Sequence, residues 1–165
     1  MAGFSFEVRV RPVEEIRGAG ESPEAYVRRL AEAKAEAGWE GRDEIVLGAD
    51  TVVVLGQEVL EKPTNLDDAR RMLGLLSGRE HRVITGFCLR HAGGRDVEHV
   101  STVVRFAVLT AAEIDAYVAT GEPLDKAGAY AIQGLASKFV ERIDGCYFNV
   151  VGLPVSRVYH YLRSL

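Results

Sequence analysis

Asp50 interrupts an otherwise apolar run, Val46-Leu47-Gly48-Ala49-Asp50-Thr51-Val52-Val53-Val54-Leu55. An ionised carboxylate in that setting costs several kcal/mol unless it is paired, hydrogen-bonded or bound to a metal. Two readings fit it: a strand-end aspartate satisfied by backbone amides, or a desolvated carboxylate at a cleft, acting as a general base or a Mg²⁺ ligand. Three lysines fall at unusual places. Lys34 lies late on a predicted helix, four residues after Leu30, Lys62 precedes Pro63 at the end of a predicted hairpin, and Lys126 sits beside Asp125 in a Gly/Ala-rich loop. Each alone reads as a solvated side chain. Together with Asp50 they fit an anion-binding cleft in which ammonium groups meet phosphate oxygens. Gln133, between Ile132 and Gly134, reads as a buried amide that either bonds loop backbone or recognises the edge of a base. Glu14-Glu15 is either a solvated pair or the source of a second carboxylate, Glu15, that joins Asp50 on a divalent cation by hard-oxygen ligation.

Other chemistries find no support. His81, His91, His99 and His160 have no metal-ligand spacing, and Cys88 and Cys146 form no CxxC pair; the cysteines read as reduced core thiols. Ser77 and Ser137 lack the glycine setting of a nucleophile elbow, and neither a P-loop nor a GxGxxG run is present. The 165 residues carry 20 Lys and Arg against 24 Asp and Glu, a net charge of −4. That balance argues against a nucleic-acid surface. No apolar stretch approaches the ~20 residues needed to span a bilayer, and no signal-peptide h-region opens the chain. The chain reads as one domain, residues 1–165, with no membrane partner and a cytoplasmic setting.

The elements that position these residues are legible in outline. Phe4 to Arg11 alternates apolar and charged residues, predicting a strand with one buried face. Ser22-Pro23-Glu24 predicts a helix start, with Tyr26, Leu30, Ala33 and Ala37 on one stripe and Gly38 as its C-terminal cap. The Asp50 run predicts a central strand covered on both faces, with Gly56-Gln57 turning into Glu58-Val59-Leu60. Asn65 caps a helix over Leu66, Ala69, Leu73 and Leu76. His81–Leu89 and Val97–Leu109 predict a long hairpin, and Thr110 with Glu113 a capping box. Phe139–Ile143 and Tyr147–Val151 predict a second hairpin around Asp144-Gly145, and Pro154–Leu165 a closing helix. Strands and helices interleave, so the expected class is α/β with a mixed central sheet flanked by helices.

Several segments then resemble a known family. Glu21-Ser22-Pro23-Glu24-Ala25-Tyr26 running to Lys34, Gly48-Ala49-Asp50-Thr51-Val52-Val53 with Leu60-Glu61-Lys62-Pro63, and Leu75-Leu76-Ser77-Gly78-Arg79 through Gly86 are similar, in order and spacing, to the Maf family of nucleoside triphosphate pyrophosphatases. Gly121-Glu122-Pro123-Leu124-Asp125-Lys126-Ala127-Gly128-Ala129-Tyr130-Ala131-Ile132-Gln133-Gly134 looks like the branch acting on dTTP and UTP, and Asn149-Val150-Val151-Gly152-Leu153-Pro154 resembles the closing motif. The resemblance implies a Maf/inosine-triphosphatase-like fold with a cleft between two lobes, and hydrolysis of dTTP and UTP to the monophosphate and pyrophosphate. It implies Asp50 as the proton acceptor, Thr51 and Gln133 among the substrate-discriminating residues, and Lys34, Lys62 and Glu15 around phosphate and metal. Lys126, in the matching motif, joins the substrate-binding set. It further implies a Mg²⁺ or Mn²⁺ cofactor and a homodimer. The family pattern normally opens with a strand, a Ser-x-Ser-Pro-Arg-Arg loop and a helix, about twenty residues with no counterpart ahead of Gly3, whose arginines make bidentate phosphate contacts that lysine does not replace. That departure keeps a rival expectation in view, a catalytically impaired nucleotide-binding module linked to division arrest.

Overall fold

The computed structural model describes residues 3–41 and 43–165. Ser22 opens α1 (Pro23–Gly38) with an extended backbone and a hydroxyl that accepts from the Ala25 amide, satisfying a donor the first turn leaves orphaned. The buried stripe is Tyr26, Val27, Leu30, Ala31 and Ala35, whereas Ala33 is half-buried and Ala37 exposed. The helix lies flat on a sheet and buries two adjacent ridges, one position away from the expected line. Gly38 is the last helical residue and not a left-handed cap; Trp39 caps the helix.

Strands β1 (Val46–Leu55), β2 (Glu58–Leu60), β3 (Glu80–His91), β4 (Gly94–Phe106) and β5 (Val140–Asp144) form, among the described residues, one sheet in the order β2-β1-β3-β4-β5. Every neighbouring pair in it is antiparallel, which corrects the expected mixed sheet. Two-residue turns join β1 to β2 and β3 to β4, and such turns reverse direction. Gly56 takes the left-handed φ of +62° that the first of them requires. The connection from β2 through α2 (Leu66–Leu76) steps over β1 to reach β3, so the parallel strands β2 and β3 never become neighbours.

Two further expectations are overturned. Residues 4–11 join no strand among the described residues, and Phe6, Val8 and Val10 are 76%, 74% and 83% exposed. The segment is held through its charged side chains: Arg9 reaches the Gly38 carbonyl and Glu44, and Arg11 reaches Glu40. Alternation specifies a face, but a strand also needs a partner edge for its amides. Tyr147–Val151 is a short helix, α4, and not a strand. The Cys146 carbonyl accepts from the Asn149 and Val150 amides, and the turn swings Asn149 inward, fully buried, where its Nδ2 donates to the Val83 carbonyl and Thr102 Oγ1.

The sheet is covered on both faces. On one, α1 packs Tyr26, Val27 and Leu30 against Val52, Val54 and Ile84. It approaches so closely that a Cβ on Gly48 would overlap the Ala31 carbonyl and Ala35 amide, and one on Gly86 the Val27 carbonyl. Gly86→Ala must lift α1 from the sheet. We expect a loss of about 3 kcal/mol in unfolding free energy, read by urea denaturation, since forced overpacking of a close-packed layer costs that much. On the other face, α2, α3 (Ala111–Val118) and 3₁₀ turns over Glu122–Asp125, Ala127–Ala129 and Leu135–Phe139 cover Val53, Leu55, Val83, Val104 and Phe106. At the far end of that face α5 (Val155–Leu162) covers Phe87 and Leu89. Between these two apolar clusters the strands present Thr51 and Thr85, and there the site lies.

Candidate active site

β2 pairs with β1 only from Val53 to Leu55, so Asp50 and Thr51 lie where β1 has lost its outer neighbour. Consecutive strand residues face opposite sides, yet at this open margin both line the same cavity, of about 350 Å³. Lys62 enters from the end of the β1–β2 hairpin, and Lys126 and Gln133 from the 3₁₀-rich segment. A smaller adjoining cavity of about 160 Å³ shares Asp50, Thr51 and Lys62 and adds Glu15, Glu61 and Tyr26. The structure therefore brings together Asp50, Thr51, Lys62, Lys126 and Gln133, with Glu15 on the adjoining side. Lys34 lines neither cavity; its Nζ lies behind them, 2.6 Å from Asp50 Oδ1 and 2.7 Å from Glu15 Oε1.

That triad is electrostatically asymmetric. The Asp50 side chain is 13% exposed and Glu15 41%. Burial pushes the Asp50 carboxyl above the usual aspartate range, outweighing Lys34. Glu15, more open to solvent, is held below the usual range by its hydrogen bond from Lys34. For Lys34 itself burial works against the charge, but the two carboxylates prevail and raise its pKa. Asp50 is thus a carboxylate of raised basicity with Oδ1 engaged by Lys34. Tyr26, whose phenol is pushed up by burial and by Glu61, stays protonated and donates to the Glu15 carbonyl at 3.0 Å, tying the N-terminal segment to α1.

The larger cavity also has an apolar lining of Val53, Val83, Tyr130, Ile132 and Val150. Gln133 stands exposed at its rim, so the buried amide expected from its apolar neighbours is corrected: Ile132 turns inward and the amide outward. Lys126 is half-exposed and bonds Asp125 at 2.7 Å. The segment carrying these residues is fixed by bonds that the sequence did not advertise. Gly128 packs on Val53 with φ +67° and donates to the Glu61 carbonyl, Ala129 is also left-handed at φ +61°, and the Glu122 carboxylate accepts from Tyr117 and the Leu135 amide. Left-handed backbone at a non-glycine residue persists only where its surroundings enforce it.

Beneath the cavity wall, His81 is buried with Nε2 2.9 Å from the Tyr130 hydroxyl and its ring edge-on to Phe106. Burial lowers its pKa from 6.5 to about 4, so the folded chain binds fewer protons than the unfolded one between those values. The neutral imidazole's contribution is complete above pH 6.5 and is lost progressively as pH falls to about 4. That loss amounts to about 3 kcal/mol. Urea denaturation at pH 7 and pH 4.5 should show a drop that shrinks in His81→Gln; an equal drop in the variant would assign acid sensitivity elsewhere.

Lys34 engages Glu15 Oε1 and Asp50 Oδ1, and the second oxygen of each carboxylate is a hard donor of the kind that holds Mg²⁺ together with waters and substrate phosphates. Among the described residues no group of three or more His, Cys, Asp or Glu forms an all-protein cage, and no helix is long and apolar enough to cross a membrane.

The family described as "Maf-like protein" matches residues 1–165. The dTTP/UTP pyrophosphatase of Anaeromyxobacter sp. (strain Fw109-5) is 54% identical over 166 residues, covering 98% of this chain and 80% of that protein. Those of Desulforamulus reducens and Shewanella oneidensis are 49% and 50% identical, covering 98% and 92% of this chain and 86% and 80% of their own lengths.

Proposed function

Since the chain belongs to the Maf-like protein family, we propose that it hydrolyses dTTP and UTP to the nucleoside monophosphate and pyrophosphate. The observation that carries this is Asp50: a half-buried carboxylate of raised basicity at the junction of an apolar pocket and a lysine-bearing margin. Relatives about half identical over nearly the whole chain and named dTTP/UTP pyrophosphatases support the substrate.

The pyrimidine lies against the apolar wall with Thr51 and Gln133 at its polar edge, and the triphosphate extends toward Lys62 and Lys126 in the cleft between the α1 side and the 3₁₀-rich side. Asp50 Oδ2 takes a proton from a water as that water attacks the α-phosphorus; the bond from the α-phosphorus to the bridging oxygen breaks and pyrophosphate leaves. Charge on the leaving group is met by the lysine ammonium groups. Lys34 keeps Asp50 ionised and aimed. Glu15 and Asp50 would hold the divalent cation, which when bound supplies neutralising charge to the triphosphate. The two free thiols suit a reducing compartment, and we place the activity in the cytoplasm.

Pyrophosphate release from dTTP, UTP, CTP and GTP with Mg²⁺ tests this. Release from dTTP and UTP well above CTP and GTP is expected. A folded chain that binds dTTP without releasing pyrophosphate would instead be the nucleotide-binding module.

A further inference from the structure

Thr51 lines the larger cavity and Thr85 lies buried behind it, and the protons of these two hydroxyls have one favourable arrangement. Thr51 and Thr85 stand in register across β1 and β3 with their Oγ1 atoms 2.9 Å apart. Thr85 is fully buried, and its Oγ1 also lies 3.1 Å from the carbonyl oxygen of Asn149. A carbonyl has no proton to offer, so Thr85's single hydroxyl proton must point there; otherwise two lone pairs would meet in a buried site. The carbonyl cannot turn away, because the Gly152 amide donates to it at 3.0 Å and the Asn149 side chain is pinned to Val83 and Thr102. With that proton committed, the bond between the threonines runs the other way: Thr51 donates to Thr85. What Thr51 then turns to the cavity is oxygen lone pairs.

We infer that this relay makes Thr51 an obligate hydrogen-bond acceptor for the N3–H of a uracil or thymine ring, with Thr85 the positioning residue that sets its polarity. The inference rests on the pyrimidine triphosphate reading above and deepens it. Uracil and thymine carry a ring donor at N3, where cytosine carries a bare acceptor. A hydroxyl locked as acceptor pairs with the first and opposes the second, whereas one free to rotate would serve both.

The test is kcat/KM for UTP and CTP in the wild-type chain, Thr85→Val and Thr85→Ser. Valine keeps the shape, leaves the Asn149 carbonyl its bond from Gly152, and removes the acceptor that holds Thr51's proton. The CTP-to-UTP ratio should rise about tenfold in Thr85→Val, the value of one hydrogen bond, and stay at the wild-type level in Thr85→Ser. In the wild type, N3-methyl-UTP should be as poor a substrate as CTP. An unchanged ratio in the valine variant, an equal shift in the serine variant, or ready hydrolysis of N3-methyl-UTP overturns the relay. Failure of the wild type on UTP itself is read first and overturns the functional reading, and the relay with it.

Discussion

Asp50→Asn lowers kcat for dTTP hydrolysis by about 10³-fold, within the range that a positioned general base supplies, while dTTP binding measured by calorimetry changes by no more than a few-fold. The amide keeps the size of the carboxylate and, by its carbonyl oxygen, the bond from Lys34, but has no basic oxygen to take a proton from water. Because burial already works against the charged form of Asp50, removing the charge does not destabilise the strand, and the variant's urea midpoint stays at or above that of the wild type. A variant with wild-type turnover would remove Asp50 from the role of proton acceptor.

The second large effect is on pH dependence. In the wild type, burial raises the Asp50 pKa and Lys34 opposes it, while Glu15 adds to the rise. Lys34→Met removes the larger opposing charge and leaves burial and Glu15 to raise the pKa against Lys62 alone. The proton then stays on Asp50 to higher pH, so the acidic limb of the kcat/KM profile moves toward alkali. At pH 7 the rate falls, and it recovers as pH is raised. Lys34→Arg keeps a cation and holds the limb closer to its wild-type position. A uniform loss at every pH would mean that Lys34 acts only on the phosphate and not through Asp50.

Features carried by neighbouring residues were legible in the sequence. The Ser22 cap, the Thr110–Glu113 capping box and the Gly56 turn form as read, because each is satisfied within a few residues of itself. Asp50 was conspicuous because it breaks an apolar strand, and the structure gives it a partner in Lys34. The sequence could not place that partner: the Lys34–Asp50–Glu15 contact joins three separate segments, and its geometry depends on how far α1 sinks onto the sheet at Gly48 and Gly86. The failures have one cause. Residues 4–11 and Tyr147–Val151 both carry strand-like patterns, but the first lacks an edge to pair with among the described residues. The second is bent into a helix by bonds to Cys146 and by the burial of Asn149. Tertiary partners decided both, and periodicity does not record them. Thr85 went unnoticed for the same reason: a threonine in a buried strand reads as β-propensity until Asn149 is seen behind it.

The most direct test of the account is hydrolysis of dTTP in oxygen-18 water, with the products separated and weighed by mass spectrometry. Attack on the α-phosphorus by a water that Asp50 deprotonates puts the label in thymidine monophosphate and leaves the pyrophosphate unlabelled. Label in the pyrophosphate, or release of orthophosphate from the γ-position, would contradict it, because either would place the attacking water at a phosphorus other than the one Asp50 is proposed to serve.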